Sequence, residues 1–391
     1  MTTPTRRLVV AHPSPDLYGS DRQLLQSLTA LRGDGWDILL VLPHDGPLVP
    51  LAREAGARVL VTTFPVLRKS LLHPARLLAT AWRAVRSAIA EARLLRRGRA
   101  DVLYVNTVTI PWWLVAGRLA RVPAVLHVHE AEDDQGRLVA TALNAPALLA
   151  RTVLANSAAA ARTMTGAVPR LEPRVTVVHN GVAAPPEAPR PREHVDGQPW
   201  QLALVGRLSP RKGTDVALEA VGQLVDRGHD VRLAVCGSVF PGYEWFEDEL
   251  RARAGRPDLD GRVELRGYVA PTWPALAEAD VVLVPSRTEP FGNTAVEAML
   301  ARRPVVASRV QGLAEVVTHE RTGLLVEPGD PTVLADAIER LLLDGTLRTQ
   351  LADGAQREAH ERFGVERYDS RVRELVRATA RVHPEPVISG T

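Results

Sequence analysis

The chain has one cysteine, Cys236, among 391 residues. A disulfide within the chain is impossible, a cysteine-built zinc site is excluded, and a reducing compartment is expected. No run of about 18 apolar residues occurs, so no membrane-spanning helix is predicted. The opening "MTTPTRRLVVAHPSPD" carries two arginines and only a short apolar run. It reads as a first strand rather than a signal peptide, which places the protein in the cytoplasm. The formal net charge is only +3, and the pI near 9.3 is too mild to point to nucleic acid. No G-x-G-x-x-G follows the first strand, which counts against a nicotinamide enzyme, and no P-loop is present. Acids and histidines at metal-ligand spacing are also missing. "PDLDG" (257–261) reads as a turn, and "EAEDDQG" (130–136) has no histidine or third acid at ligand spacing. No metal site is predicted.

Apolar residues make up 46% of the chain, and its length suits two domains. Short Val/Leu/Ile runs recur: "RLVVAH" (7–12), "DILLVLP" (37–43), "RVLVTT" (58–63), "DVLYVN" (101–106), "AVLHVHE" (124–130), "TVLANS" (152–157) and "RVTVVHN" (174–180). Such runs suit parallel strands buried on both faces. Helical patterns lie between them, for example at 19–33, 74–97 and 111–120. A stretch rich in proline and polar residues (183–199) reads as a linker. The rhythm then restarts with "QLALVGR" (201–207), "VRLAVCG" (231–237), "RVELRGY" (262–268), "DVVLVPS" (280–286), "PVVAS" (304–308) and "GLLVEP" (323–328). The prediction is α/β: two doubly wound Rossmann-like domains facing a cleft. The N-terminal domain is placed at 1–183, the linker at 184–199 and the C-terminal domain at 200–360. Residues 361–391 are read as a helix returning to the N-terminal domain, followed by a loose tail.

In open α/β sheets ligands bind beyond the carboxyl ends of strands. "GRLSPRKG" (206–213) follows a strand and supplies Arg207, Arg211 and Lys212 before a helix opening at Thr214. Cations beside free helix N–H groups make an anion site; a solvated turn with surface cations is the plainer alternative. "TEPFGNTAVEAM" (288–299) also follows a strand. The N–H groups of Gly292, Asn293 and Thr294 fall where a helix leaves donors unpaired. Glu289 sits in the loop, and Glu297 is placed in the first helical turn. An exposed loop acid and a helix-dipole acid are the plain readings of these two. A pair of catalytic glycosidase acids would flank a bond from opposite sides, whereas these lie on one loop–helix element.

"EPFGNTAVEAM" resembles the E-x7-E motif of the family-4 retaining glycosyltransferases, which have the GT-B fold. "PSPDLYGSDRQL" (13–24), "HVHE" (127–130), "VVHNGV" (177–182), "GLAEVV" (312–317) and "TGLLVEPGDP" (322–331) fall in that family's order over nearly the whole chain. The resemblance implies transfer of a hexose from a nucleoside diphosphate sugar to an acceptor hydroxyl, with retention and without a metal or other cofactor. It assigns Arg207 and Lys212 to the diphosphate, Glu289 to hydroxyls of the donor sugar, and Glu297 to the ribose diol. It also assigns the backbone of Phe291, Gly292, Asn293 and Thr294 to sugar and phosphate, His129 to the reacting centre, and Gly19 to a close approach to phosphate. The family often has paired glycines in that first loop, where this chain has Gly19-Ser20. Asn106 and Asn180 end strands too, as turn residues or acceptor contacts. A nucleotide-sugar epimerase or phosphorylase of related architecture, and a non-catalytic two-domain sugar-binding protein, are the alternatives.

The stretch 68–99 is strongly basic. Leu78, Trp82, Val85, Ile89 and Ala92 recur at helical spacing beside an arc of Arg76, Arg83, Arg86, Arg93 and Arg97. Such a helix suits peripheral contact with an anionic bilayer on the cytoplasmic face, and hence a lipid-linked acceptor in polysaccharide or glycolipid assembly. The alternative is that its apolar arc packs on the domain's own sheet.

Overall fold

The computed structural model describes residues 6–67, 74–131, 136–240 and 242–381, and for 74–81 the helix without its side chains. It divides into two compact units, Met1–Val178 with Glu366–Thr391, and His179–Val365. In the first, β1 (Arg7–Ala11), β2 (Asp37–Leu42), β3 (Arg58–Val61), β4 (Val102–Val105), β5 (Ala124–Val128), β6 (Thr152–Ala155) and β7 (Val175–Val177) form one sheet in the order β3-β2-β1-β4-β5-β6-β7. In the second, β8 (Trp200–Val205), β9 (Val231–Cys236), β10 (Val263–Gly267), β11 (Val281–Val284), β12 (Val305–Ser308) and β13 (Leu324–Val326) are ordered β10-β9-β8-β11-β12-β13. Every ladder is parallel; Val9, for instance, lies between Leu39 and Leu103, and Ala203 between Ala234 and Val282. Both sheets are doubly wound. Chain direction across each sheet reverses beside its first strand, between β1 and β4 and between β8 and β11. A crevice opens at such a switch point.

The continuous apolar runs have a direct cause. Successive side chains on a strand point to opposite faces, and here both faces are covered. Leu8 and Val10 pack with Leu24, Leu28 and Leu31 of helix Gly19–Gly33, while Val9 and Ala11 pack with Trp113 on the other face. In the second unit, Leu202 and Leu204 lie in one layer and Ala203 in the other. The last helix, Val365–Thr379, adds Tyr368, Val372 and Val376 to the first unit's core.

Two segments gain detail that the sequence did not show. The stretch expected as a linker, 184–199, forms no helix or strand and lies against the second unit. The Arg303 guanidinium donates to the Arg190 carbonyl at 2.9 Å, Arg192 binds Asp280 at 2.8 Å, and the His194 ring stacks 3.4 Å from Trp200. Proline removes backbone donors, so side chains supply the attachment instead. For helix Pro74–Arg97, the alternative that its whole apolar arc packs inward does not hold. Ala84, Ala88, Glu91, Ala92 and Leu95 are buried, while Trp82, Val85 and Ile89 are 61%, 59% and 40% exposed. Alanine allows close approach to the neighbouring helix Trp112–Ala120, and the large apolar side chains are left outside. Leu78, Arg76 and residues 68–73 lie outside the described side chains.

Glu91 is a buried acid on that inner face. Ser87 donates to one carboxylate oxygen at 2.6 Å, and the other has no partner among the described residues. Burial pushes its pKa up to about 7. The folded state therefore keeps a proton that the unfolded chain releases, and stability falls as pH rises from about 4.5 to about 7. The penalty is complete above that window. Glu91→Gln is expected to stabilise the protein at pH 8 by about 1–3 kcal/mol, and to do little at pH 4. Melting curves at the two pH values check it; equal shifts at both would exclude this origin.

Candidate active site

In the first unit the strand ends at the switch point carry polar residues. His12 follows β1, Asn106 follows β4, and His127 and His129 lie at the end of β5. His127 is fully buried, and its Nδ1 pairs with the Tyr104 hydroxyl at 2.6 Å. The two rings are on one side of the strand, with centroids 4.0 Å apart. The His129 backbone N–H donates to the Glu130 carboxylate at 2.9 Å. Its ring Nε2 pairs with Asn106 Oδ1 at 3.0 Å, and its Nδ1 is buried with no partner among the described residues. Asn106 Nδ2 reaches His12 Nδ1 at 3.0 Å, and His12 Nε2 reaches Asp21 Oδ1 at 2.6 Å. The other Asp21 oxygen accepts the Tyr18 N–H at 2.7 Å. Burial first, and then the neighbouring His12, hold the His129 pKa down to about 3; burial holds His127 well below the usual range. Both rings are thus neutral at neutral pH. Gly19 is the exposed first residue of its helix, directly after Tyr18. Residues 132–135 of the acidic run lie outside the described residues.

In the second unit β8 leads through Gly206 and Arg207 into a short turn, Pro210–Lys212. Gly213 then adopts φ +69°, and a Cβ there would lie 2.0 Å from the Pro285 carbonyl oxygen. That close approach sets the turn against the end of the adjacent strand β11. Beyond β11, Arg287 grips Asp215 through two bonds of 2.8 and 2.7 Å, and its N–H donates to the Arg211 carbonyl at 2.8 Å. With the two loops tied in this way, the Lys212 ammonium meets Glu289 Oε2. Ser286 Oγ donates to the same oxygen at 3.3 Å, and the Gln311 side chain accepts the Glu289 N–H at 2.9 Å. The result is a shielded cation–carboxylate pair at the strand ends; Glu289 is only 9% exposed.

Helix Asn293–Leu300 opens beside this pair, with Gly292 at φ +110°. The N–H groups of Gly292, Asn293 and Thr294 have no hydrogen-bond partner among the described residues. They remain available to an anion or a hydroxyl oxygen. The Phe291 side chain is buried against Phe363 and His179, so only its backbone is free for a ligand. Glu297 is the fifth helical residue and stands in the second turn, not the first as expected. The helix-dipole reading therefore loses its basis, because that effect is confined to the first turn. Its carboxylate accepts from Thr272 Oγ1 at 3.0 Å. Arg207 stacks 3.3 Å above the Phe240 ring. Asn180 donates to Asn293 Oδ1 at 2.9 Å, which makes it a brace for the helix start. Asp258 of "PDLDG" is bound to Arg253.

Sequence reasoning did not pick out His12, Asp21, Ser286 or Gln311. The one signal for His12 was its position directly after β1. Asp21 meets His12 across the loop after β1, Gln311 meets Glu289 from a separate loop, and Ser286 acts within the loop after β11.

Two parallel Rossmann-like domains with polar constellations beyond their switch points define a GT-B architecture. Residues 19–181 match the family model of the glycosyl transferase 4-like domain, and residues 200–344 match that of glycosyl transferases group 1. The chain thus carries a glycosyl transferase 4-like domain followed by a glycosyl transferases group 1 domain. Among curated relatives, α-D-kanosaminyltransferase of Streptomyces kanamyceticus is 35% identical over 170 residues, which is 42% of each chain. D-inositol 3-phosphate glycosyltransferase of Corynebacterium glutamicum is 36% identical over 165 residues, covering 40% of this chain and 38% of its own. The chain spans about two fifths of the length of the curated relatives it matches. Over whole structures, Anabaena HepE in complex with UDP superposes with a TM-score of 0.78 at 25% identity, covering 95% of this chain and all of that one.

Proposed function

We propose that the protein is a retaining glycosyltransferase that moves a hexose from a nucleoside diphosphate sugar to an acceptor hydroxyl without a metal ion. The observation that carries this reading is the Lys212–Glu289 pair beside the free N–H groups of Gly292, Asn293 and Thr294. The pair holds a cation where a diphosphate would leave, and the carboxylate that now neutralises it is free to turn to sugar hydroxyls. As the bond from the anomeric carbon to phosphate oxygen breaks, positive charge grows on the sugar and negative charge on the diphosphate. Lys212, Arg207 and the helix N–H groups would stabilise that negative charge, which is preorganised electrostatic catalysis. The departing phosphate would take the proton of the acceptor hydroxyl on the same face, giving retention. HepE crystallises with UDP and with UDP-glucose, so uridine diphosphate sugars are the donors to test first.

Glu297 is assigned to the donor's ribose. Its removal costs one charge-assisted hydrogen-bonding group, about 1.5–3 kcal/mol. Glu297→Ala is therefore expected to raise the donor KM by about 10- to 150-fold with kcat nearly unchanged. Steady-state kinetics decide it: a fall in kcat at unaltered donor affinity would contradict the assignment.

We also propose peripheral contact with an anionic bilayer through helix Pro74–Arg97. No helix among the described residues is long and apolar enough to cross a membrane. Trp82, Val85 and Ile89 are exposed in a row, with Arg83, Arg86, Arg93 and Arg97 exposed around them and Arg86 seated 4.4 Å over the Trp82 ring. An apolar stripe flanked by guanidinium groups matches the acyl–headgroup boundary of such a surface. It would suit a lipid-linked acceptor on the cytoplasmic face, in polysaccharide or glycolipid assembly. Co-sedimentation with anionic vesicles at low salt is expected, and Trp82→Glu should weaken it. No binding by the wild-type protein would end the idea.

A further inference from the structure

The buried chain Asp21–His12–Asn106–His129 has a direction. An ionised carboxylate only accepts hydrogen bonds, and Asp21 already accepts the Tyr18 N–H. His12 must therefore donate from Nε2, at 2.6 Å, and in the neutral ring this leaves its Nδ1 as a lone pair. That lone pair receives Asn106 Nδ2 at 3.0 Å, so the asparagine presents its oxygen to the other side. The oxygen then requires a donor, and His129 Nε2 stands 3.0 Å away. His12, Asp21 and Asn106 are at most 3% exposed, so water offers none of them an alternative partner.

We infer that Asp21, His12 and Asn106 are positioning residues that fix His129 as its Nε2–H tautomer and hold its Nδ1 as a hydrogen-bond acceptor. Asp21 is the third residue of helix Gly19–Gly33 and accepts the N–H of Tyr18, so the loop before that helix is tied to the same chain. The ring is neutral at neutral pH, so tautomer rather than charge is what the chain selects. The catalytic meaning of this arrangement rests on the glycosyltransferase reading above; the tautomer does not.

The test is long-range 1H–15N NMR of the full-length, histidine-labelled protein, with His129 assigned by its loss in His129→Gln. The wild type should show a single Nε2–H form. In His12→Phe the asparagine loses its lone-pair partner, and a tautomer mixture or the Nδ1–H form should appear. His12→Gln keeps a donor for Asp21 and an acceptor for Asn106, and should restore the wild-type pattern. With a donor and acceptor in hand, His12→Phe should lower kcat by about tenfold or more at similar donor KM, the order expected for one misplaced hydrogen bond. His12→Gln should recover most of it. An Nδ1–H form in the wild type would overturn the relay, and that measurement stands even if His12→Phe does not fold. So would an unchanged tautomer in folded His12→Phe. A wild-type Nε2–H spectrum without turnover of any nucleotide sugar would support the relay and remove the reaction assigned to it.

Discussion

Lys212→Ala is expected to lower kcat/KM by about 10- to 150-fold. The range corresponds to about 1.5–3 kcal/mol for one charge-assisted hydrogen bond, at 1.36 kcal/mol per tenfold. The loss should appear mainly in kcat, because charge on the leaving diphosphate is greatest in the transition state. The variant also leaves Glu289 shielded and without its cation, with Ser286 and the Gln311 contact still holding it in place. Glu289→Gln in the Lys212→Ala background should therefore cost less than it does in the wild type, since the two groups act as a pair. Near-normal transfer by Lys212→Ala would remove this residue from the chemistry.

Gly213→Ala is expected to destabilise the second unit by about 2–4 kcal/mol and to disturb Lys212 with it. Two causes add. Its φ of +69° is unfavourable for any residue with a Cβ, and that Cβ would stand 2.0 Å from the Pro285 carbonyl oxygen. The obstacle is backbone, so either the turn or the end of β11 has to move. Gly228→Ala separates the two causes. Gly228 also has a left-handed φ, +89°, but nothing lies within 4 Å of its Cβ position. It should lose only the conformational part, about 1 kcal/mol. Denaturant melts of both variants test this; equal losses would mean that the contact with Pro285 has no role.

The fold was legible because both faces of every central strand are covered. Val9 and Val10 both had to be apolar, for opposite layers, and the run "RLVVA" carries that requirement openly. The strand-end positions of Arg207, Lys212, Glu289 and His129 were legible by the same route. That the Lys212 and Glu289 side chains meet was not. They are separated by 77 residues, and the meeting depends on β8 and β11 being neighbours, which sheet order decides. The His12–Asn106 contact spans 94 residues and depends in the same way on the pairing of β1 with β4. Periodicity marked an apolar arc on helix Pro74–Arg97 but did not show which face packs inward. A hydrophobic arc marks what avoids water, whereas close packing against Trp112–Ala120 selected the alanines. The segment 184–199 was open to misreading for another reason: prolines mark the absence of secondary structure, not the absence of attachment.

Thermal unfolding in the presence of UDP-, GDP-, ADP- and TDP-sugars tests the donor site most directly. A ligand at 100 times its Kd stabilises the folded protein by about 2.7 kcal/mol, which is readily measured. At least one nucleotide sugar should raise the Tm of the wild type and raise it less in Glu297→Ala. If none of the four classes shifts the wild type at millimolar concentration, the site formed by Lys212, Glu289 and the helix at Asn293 is not a nucleotide-sugar site.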